Sequence, residues 1–169
     1  ADLIEYCWGS NATSWGRRRV ADGHPGVYNV SAVELGNEQH NPSFIDQVFK
    51  MEERAKEIGG VPPLHYIYPG VGTQGLSAAD KRRARKLKLP VERILTDLHV
   101  GAGGAVQQAR ELFSADPSFR QGVVNLETNA MTHDLDRALA EAADLLEFFT
   151  AETETTDRIW ARTASFCSA

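Results

Sequence analysis

Short β-like apolar runs alternate with amphipathic helical patterns along this chain, at intervals of about thirty residues, and that alternation constrains the fold more than any other feature. The first run, "VYNVSAVEL", precedes "PSFIDQVFKMEERAKEIGG". There Phe44, Val48, Met51, Ala55 and Ile58 recur at steps of four and three, one face of a helix. Ser43 stands where a cap starts that helix and Gly59-Gly60 where it ends. "PLHYIYPG" reads as a second strand and "SAADKRRARKLKL" as a short basic helix. "VERILTDLHV" is a third strand, followed by "GAVQQARELF" with Val106, Ala109, Leu112 and Phe113 on one side. "QGVVNLETNA" is a fourth strand, and "THDLDRALAEAADLLEFFTAE" a long helix whose face carries Leu135, Ala138, Ala142, Leu145 and Phe149. "DRIWARTASF" closes the series as a fifth strand.

Such repetition specifies βαβ units and a parallel sheet, hence an α/β fold, and no linker divides residues 1–169 into more than one domain. An open doubly wound sheet and a (β/α)8 barrel both fit the alternation. Glu38, Asp97 with His99, and Glu127 lie at the C-terminal ends of the first, third and fourth strands, which is where a barrel gathers its catalytic groups. An open sheet collects ligands mainly at one switch point. The expectation is a partial (β/α)8 barrel of about five βα units, since a complete one takes about 250 residues.

Composition excludes several partners. With 42% hydrophobic and 24% charged residues the chain can bury a core, and a net charge of -5 argues against nucleic acid. No apolar run approaches the ~20 residues that span a bilayer. "ADLIEYCWG" lacks the pattern of a secretory signal and reads as the end of a helix, so the chain is expected to begin inside a larger fold. Asn11-Ala-Thr and Asn29-Val-Ser match the N-glycosylation pattern, which matters only for an exported protein. Cys7 and Cys167 read as free thiols, and "KRRARKLK" as a solvated helix face. "GAGGA" lacks the remainder of a phosphate-binding fingerprint and reads as a βα turn. The five histidines show no paired zinc spacing and no nucleophile elbow occurs, so neither cofactor nor catalytic metal is expected.

Glu38 and Glu127 are the strongest chemical pair. Glycoside hydrolysis needs two carboxyl groups, one to protonate the departing oxygen and one to attack the anomeric carbon or activate water. Glu34, four residues before Glu38, would share its side of an extended strand. Trp8 and Trp15 bracket a polar loop on which Trp15 either stacks on a sugar or covers the barrel edge.

The segment "RRRVADGHPGVYNVSAVELGNE" resembles the α-L-arabinofuranosidases of glycoside hydrolase family 51, in which an Arg, a Gly and a Pro precede a strand ending in Gly-Asn-Glu. "TDLHVG" is similar to that family's Asp-x-His strand, and "VVNLETNA" to the strand bearing its nucleophile. "LDRALAEAADLLEFF" is similar to the Ala-rich helix that follows. The resemblance implies retaining hydrolysis of terminal α-L-arabinofuranosyl groups. It makes Glu38 the acid/base, Glu127 the nucleophile, Asn37 a ligand of the sugar 2-hydroxyl and His99 a hydrogen-bonding residue of the site. It spans strands 4 to 8 of the barrel, without the first three strands or the accompanying β-sandwich. Another chain, or a further segment of the same one, is therefore expected to complete the barrel, in an oligomer or larger assembly. A second reading keeps the scaffold without turnover, as a structural or carbohydrate-binding component.

Overall fold

The structure, a computed structural model, describes residues 1–39, 41–69, 75–100, 104–115, 122–128 and 159–165, together with helical positions between 135 and 150. Its centre is a parallel sheet in the order β1-β2-β3-β4-β5, formed by Ala32–Glu34, His65–Tyr68, Ile94–Asp97, Gly122–Thr128 and Ile159–Ser165. Every neighbouring pair is parallel and consecutive, with Glu34 beside Ile67, Tyr68 beside Thr96 and Asp97 beside Val124. Sequential order leaves no switch point within the sheet, so the open doubly wound alternative fails.

Strand parity sorts the side chains into two layers. Tyr66, Tyr68 and Ile94 join a core with Ile4, Cys7 and Trp8 of α1 (Asp2–Trp8) and Phe44, Ile45, Val48 and Met51 of α3 (Phe44–Ile58). On the other face Ile67, Leu95 and Val124 pack together with Ala32 and Leu126. The alternate positions Glu34 and Asp97 therefore share that inner face with Ala32 and Leu95. Leu98 and Val123 pack on Val106 and Ala109 of α5 (Ala105–Ala115), as the helical spacing requires.

Helix α3 follows its predicted face, but its start differs. The Ser43 side chain makes no cap bond, because its own backbone is already in the right-handed helical region. Asn41 takes the role: its Oδ1 accepts from the Ser43 N–H at 2.9 Å and from the Ser43 hydroxyl at 2.8 Å. Gly59 ends the helix at φ 73°, a left-handed conformation open to glycine at little cost. In α4 (Ala78–Lys86) the Ser77 side chain does cap, accepting from the Asp80 N–H. Ala84 is buried, while Arg83 reaches out to Asp46 of α3.

Four further expectations are corrected. Residues 28–31 are not strand, since β1 begins only at Ala32. Val91–Arg93 form a 3-10 turn, drawn in by Arg93, whose guanidinium bonds Glu52 and the Leu64 carbonyl. The loop expected between Trp8 and the first strand contains helix α2 (Ser14–Ala21), started by Thr13, whose side chain accepts from the Gly16 N–H. Described positions of the 135–150 stretch are helical as expected, yet Leu135 is 71% exposed and Ala138 and Ala142 are also exposed. Leu145 and Phe149, the remaining members of that predicted face, lie outside the described residues. The turn at 101–103, His40, His133 and Cys167 lie outside the described residues.

Arg19 of α2 explains how the first two helices hold together. It is 2% exposed, and its guanidinium donates to the carbonyls of Tyr6, Cys7 and Gly9 at the end of α1 and to that of His24. A cation at a helix C-terminus satisfies otherwise orphaned carbonyls and complements the helix dipole.

Candidate functional site

The chain leaves β1 through a constrained turn. The Leu35 N–H still reaches the Ile67 carbonyl at 2.9 Å, and then Gly36 passes over the ring of Phe44. A Cβ at Gly36 would stand 2.9 Å from Phe44 Cζ, so this position of "ELGNE" admits no side chain without displacing the first residue of α3. Asn37 and Glu38 follow, both exposed, and Glu38 lies at φ 49°. The expectation that Glu34 and Glu38 share one side of an extended strand fails here, because extension ends at Glu34.

Strand β3 delivers the facing group. Asp97 closes the strand, and the Leu98 N–H continues the ladder to the Val124 carbonyl. His99 then turns at φ 44°, the same left-handed region as Glu38. Non-glycine residues held there are uncommon and cluster at functional sites. The turn is pinned from β4, where Asn125 is buried and clamps Val100 twice, accepting from its N–H at 3.2 Å and donating to its carbonyl at 3.1 Å.

His99 consequently bridges two carboxylates. Its Nδ1 lies 3.2 Å from Glu38 Oε1 and its Nε2 2.7 Å from Asp97 Oδ2. The His99 side chain is 6% exposed, whereas Glu38 is 65% exposed and faces solvent beyond it. Asp97 is fully buried, with Oδ1 accepting from the Leu126 N–H at 2.9 Å. Burial pushes its carboxyl above the ordinary carboxylate range, against the opposing pull of that N–H and of His99. Glu34 completes the group, for its carboxylate and donor atoms of Asp97 and His99 all lie within 4.8 Å of one another.

The sequence-predicted residues thus separate. Glu38 and His99 meet where β1 and β3 end, as expected of a barrel rim, with Asn37 exposed beside Glu38 in the chain. Glu127 occupies the next strand beside Leu126, which bonds Asp97, while its side chain lies outside the described residues. Trp15 sits on a helix rather than a rim loop, 42% exposed, with its ring edge-on to Tyr6 at 6.4 Å and its backbone N–H donating to the Glu5 carboxylate. Sequence reading missed the Asn125 clamp and the meeting of Glu34 with Asp97 and His99. Strand parity was the available signal for the latter, since Ala32/Glu34 and Leu95/Asp97 alternate in step.

No curated protein matches the sequence. Among solved structures, the alpha-L-arabinofuranosidase of Thermotoga maritima, in an arabinose complex, superimposes with a TM-score of 0.63 at 17% identity, over 98% of this chain and 40% of that one. The GH51 arabinofuranosidase of Xanthomonas axonopodis pv. citri gives 0.56 at 14% identity, over 98% of this chain and 42% of its own. The chain thus spans about two fifths of the length of either structure and shares the fold of that part. The family model described as the Alpha-L-arabinofuranosidase 1 domain matches residues 1–100, a stretch that takes in Glu34, Asn37, Glu38, Asp97 and His99. By that match the chain belongs to the alpha-L-arabinofuranosidase 1 domain family.

Proposed function

We propose that this chain carries the acid/base and nucleophile of a retaining glycosidase that removes terminal α-L-arabinofuranosyl groups from arabinose-containing polysaccharides. The observation that supports this most is the contact of Glu38 with a histidine itself held by a buried aspartate. In the reading, Glu38 starts protonated and gives its proton to the glycosidic oxygen as the carboxylate of Glu127 attacks the anomeric carbon. The aglycone leaves with that proton. Glu38, now a carboxylate, takes a proton from water, whose oxygen attacks the same carbon and releases Glu127. Such a pair works at about 5–5.5 Å, a separation that strands three places apart around a barrel rim can supply.

His99 positions Glu38. The buried Asp97 carboxylate lies against the Nε2 side of the ring at 2.7 Å, and Nδ1 faces the Glu38 carboxyl. Asn37, beside Glu38 and exposed, supplies an amide for a sugar hydroxyl, and Trp15 an aromatic face further out. The chain corresponds to strands 4 to 8 of a (β/α)8 barrel, and the remaining strands come from a further segment or another chain.

Hydrolysis of an aryl α-L-arabinofuranoside by the full natural protein tests the assignment. Glu38→Gln should lose about 10²–10⁴-fold in rate and Glu127→Gln at least as much. Unchanged activity in either variant overturns it, and no activity in any form favours the scaffold without turnover.

A further inference from the structure

Glu34, Asp97 and His99 come from two strands separated by β2, and they offer two carboxylates and an imidazole on the inner face of the sheet. No helix face carries this set, so the paired spacing of a helical zinc site does not reveal it. We propose that it binds one divalent transition-metal ion of the zinc class, and that the ion inhibits the proposed hydrolysis.

Two observations carry the proposal independently. The donor atoms lie within 4.8 Å of one another, and two ligands bonded at about 2.0–2.2 Å to one tetrahedral ion stand about 3.4 Å apart, so small side-chain rotations suffice. Asp97 Oδ2 is buried and accepts no hydrogen bond. His99 Nε2 is 2.7 Å away but out of line for one. A buried carboxylate oxygen without a donor is costly, and a cation relieves that cost. One nitrogen with two oxygens suits zinc and its neighbours better than calcium or magnesium, which favour all-oxygen sets.

The inhibitory effect follows from the other side of the ring. An ion seated on Asp97 and the Nε2 side of His99 takes over the pair that positions Glu38, and the rotations that close the site around it draw the ring away from its contact with Glu38. Zinc binding does not depend on the hydrolytic reading, which is why the decisive readout is binding.

Isothermal titration of the full natural protein with zinc chloride should give one saturable site per chain. Glu34→Gln and His99→Gln should each weaken it by at least about tenfold, while Glu53→Gln, an exposed glutamate of α3, leaves it unchanged. Circular dichroism checks the fold of each variant. Should a variant not fold, cobalt(II) added to the natural protein decides, through the intense visible bands of a low-coordinate site. No saturable zinc site, binding indifferent to both substitutions, or only the weak spectrum of hydrated cobalt overturns the proposal. Zinc binding without loss of hydrolysis, in an active protein, overturns the inhibitory part alone.

Discussion

Two residues, Glu38 and His99, accept left-handed backbone conformations so that their side chains meet. Around them each position has one physical task. Gly36 clears Phe44, and Gly36→Ala should cost about 1–3 kcal/mol by forcing that ring out of the core, read as a fall in thermal midpoint. Asp97 bears on pH. Its folded carboxyl is raised by burial, so its contribution to stability is present below the ordinary carboxylate value of about 4 and is lost as pH rises through its raised value. Relative to Asp97→Asn, which cannot ionise, the natural chain should lose urea stability over that interval. A difference independent of pH would refute the sign. None of this was legible in "ELGNE" or "TDLHV" alone, because a left-handed residue leaves no mark in composition and Asn125 acts across strands.

Elements were easier to read than their ends. The helix over Phe44–Ile58 shows in its three-four rhythm because one face must bury Phe44, Val48 and Met51. Its cap was misassigned because Asn41 and Ser43 are both capping residues, and only the backbone turn decides between them. Asn41→Ala should therefore cost about 1 kcal/mol in chemical denaturation and exceed the cost of Ser43→Ala. Helix α2 was missed because its sequence "SWGRRRVA" has no apolar stripe, and its cohesion comes from one buried cation, Arg19. The 135–150 stretch has such a stripe, yet its described members Leu135, Ala138 and Ala142 are exposed, so periodicity announced a helix without naming what covers it.

At the scale of the molecule, β1 pairs with β2 alone among the described residues, while the sheet's inner face carries both Glu34 and Asp97. An unpaired edge beside an open apolar face favours association. Residues 1–169 by themselves should self-associate in sedimentation velocity; a monomer with a cooperative thermal melt would refute the need for a completing segment or chain. The fold class and the strand-end location of the site followed from alternation alone, whereas the pairing of acid and nucleophile rests on family likeness.

The most direct test of that pairing is the mass of the Glu38→Gln variant of the full protein after brief reaction with an aryl arabinofuranoside bearing an activated leaving group. Such a substrate needs no acid to depart, but the intermediate then lacks a base to release it. One added pentosyl unit, mapped to the peptide containing Glu127, is the expected result. Turnover at the natural rate, or a pentosyl unit on any other residue, would contradict it.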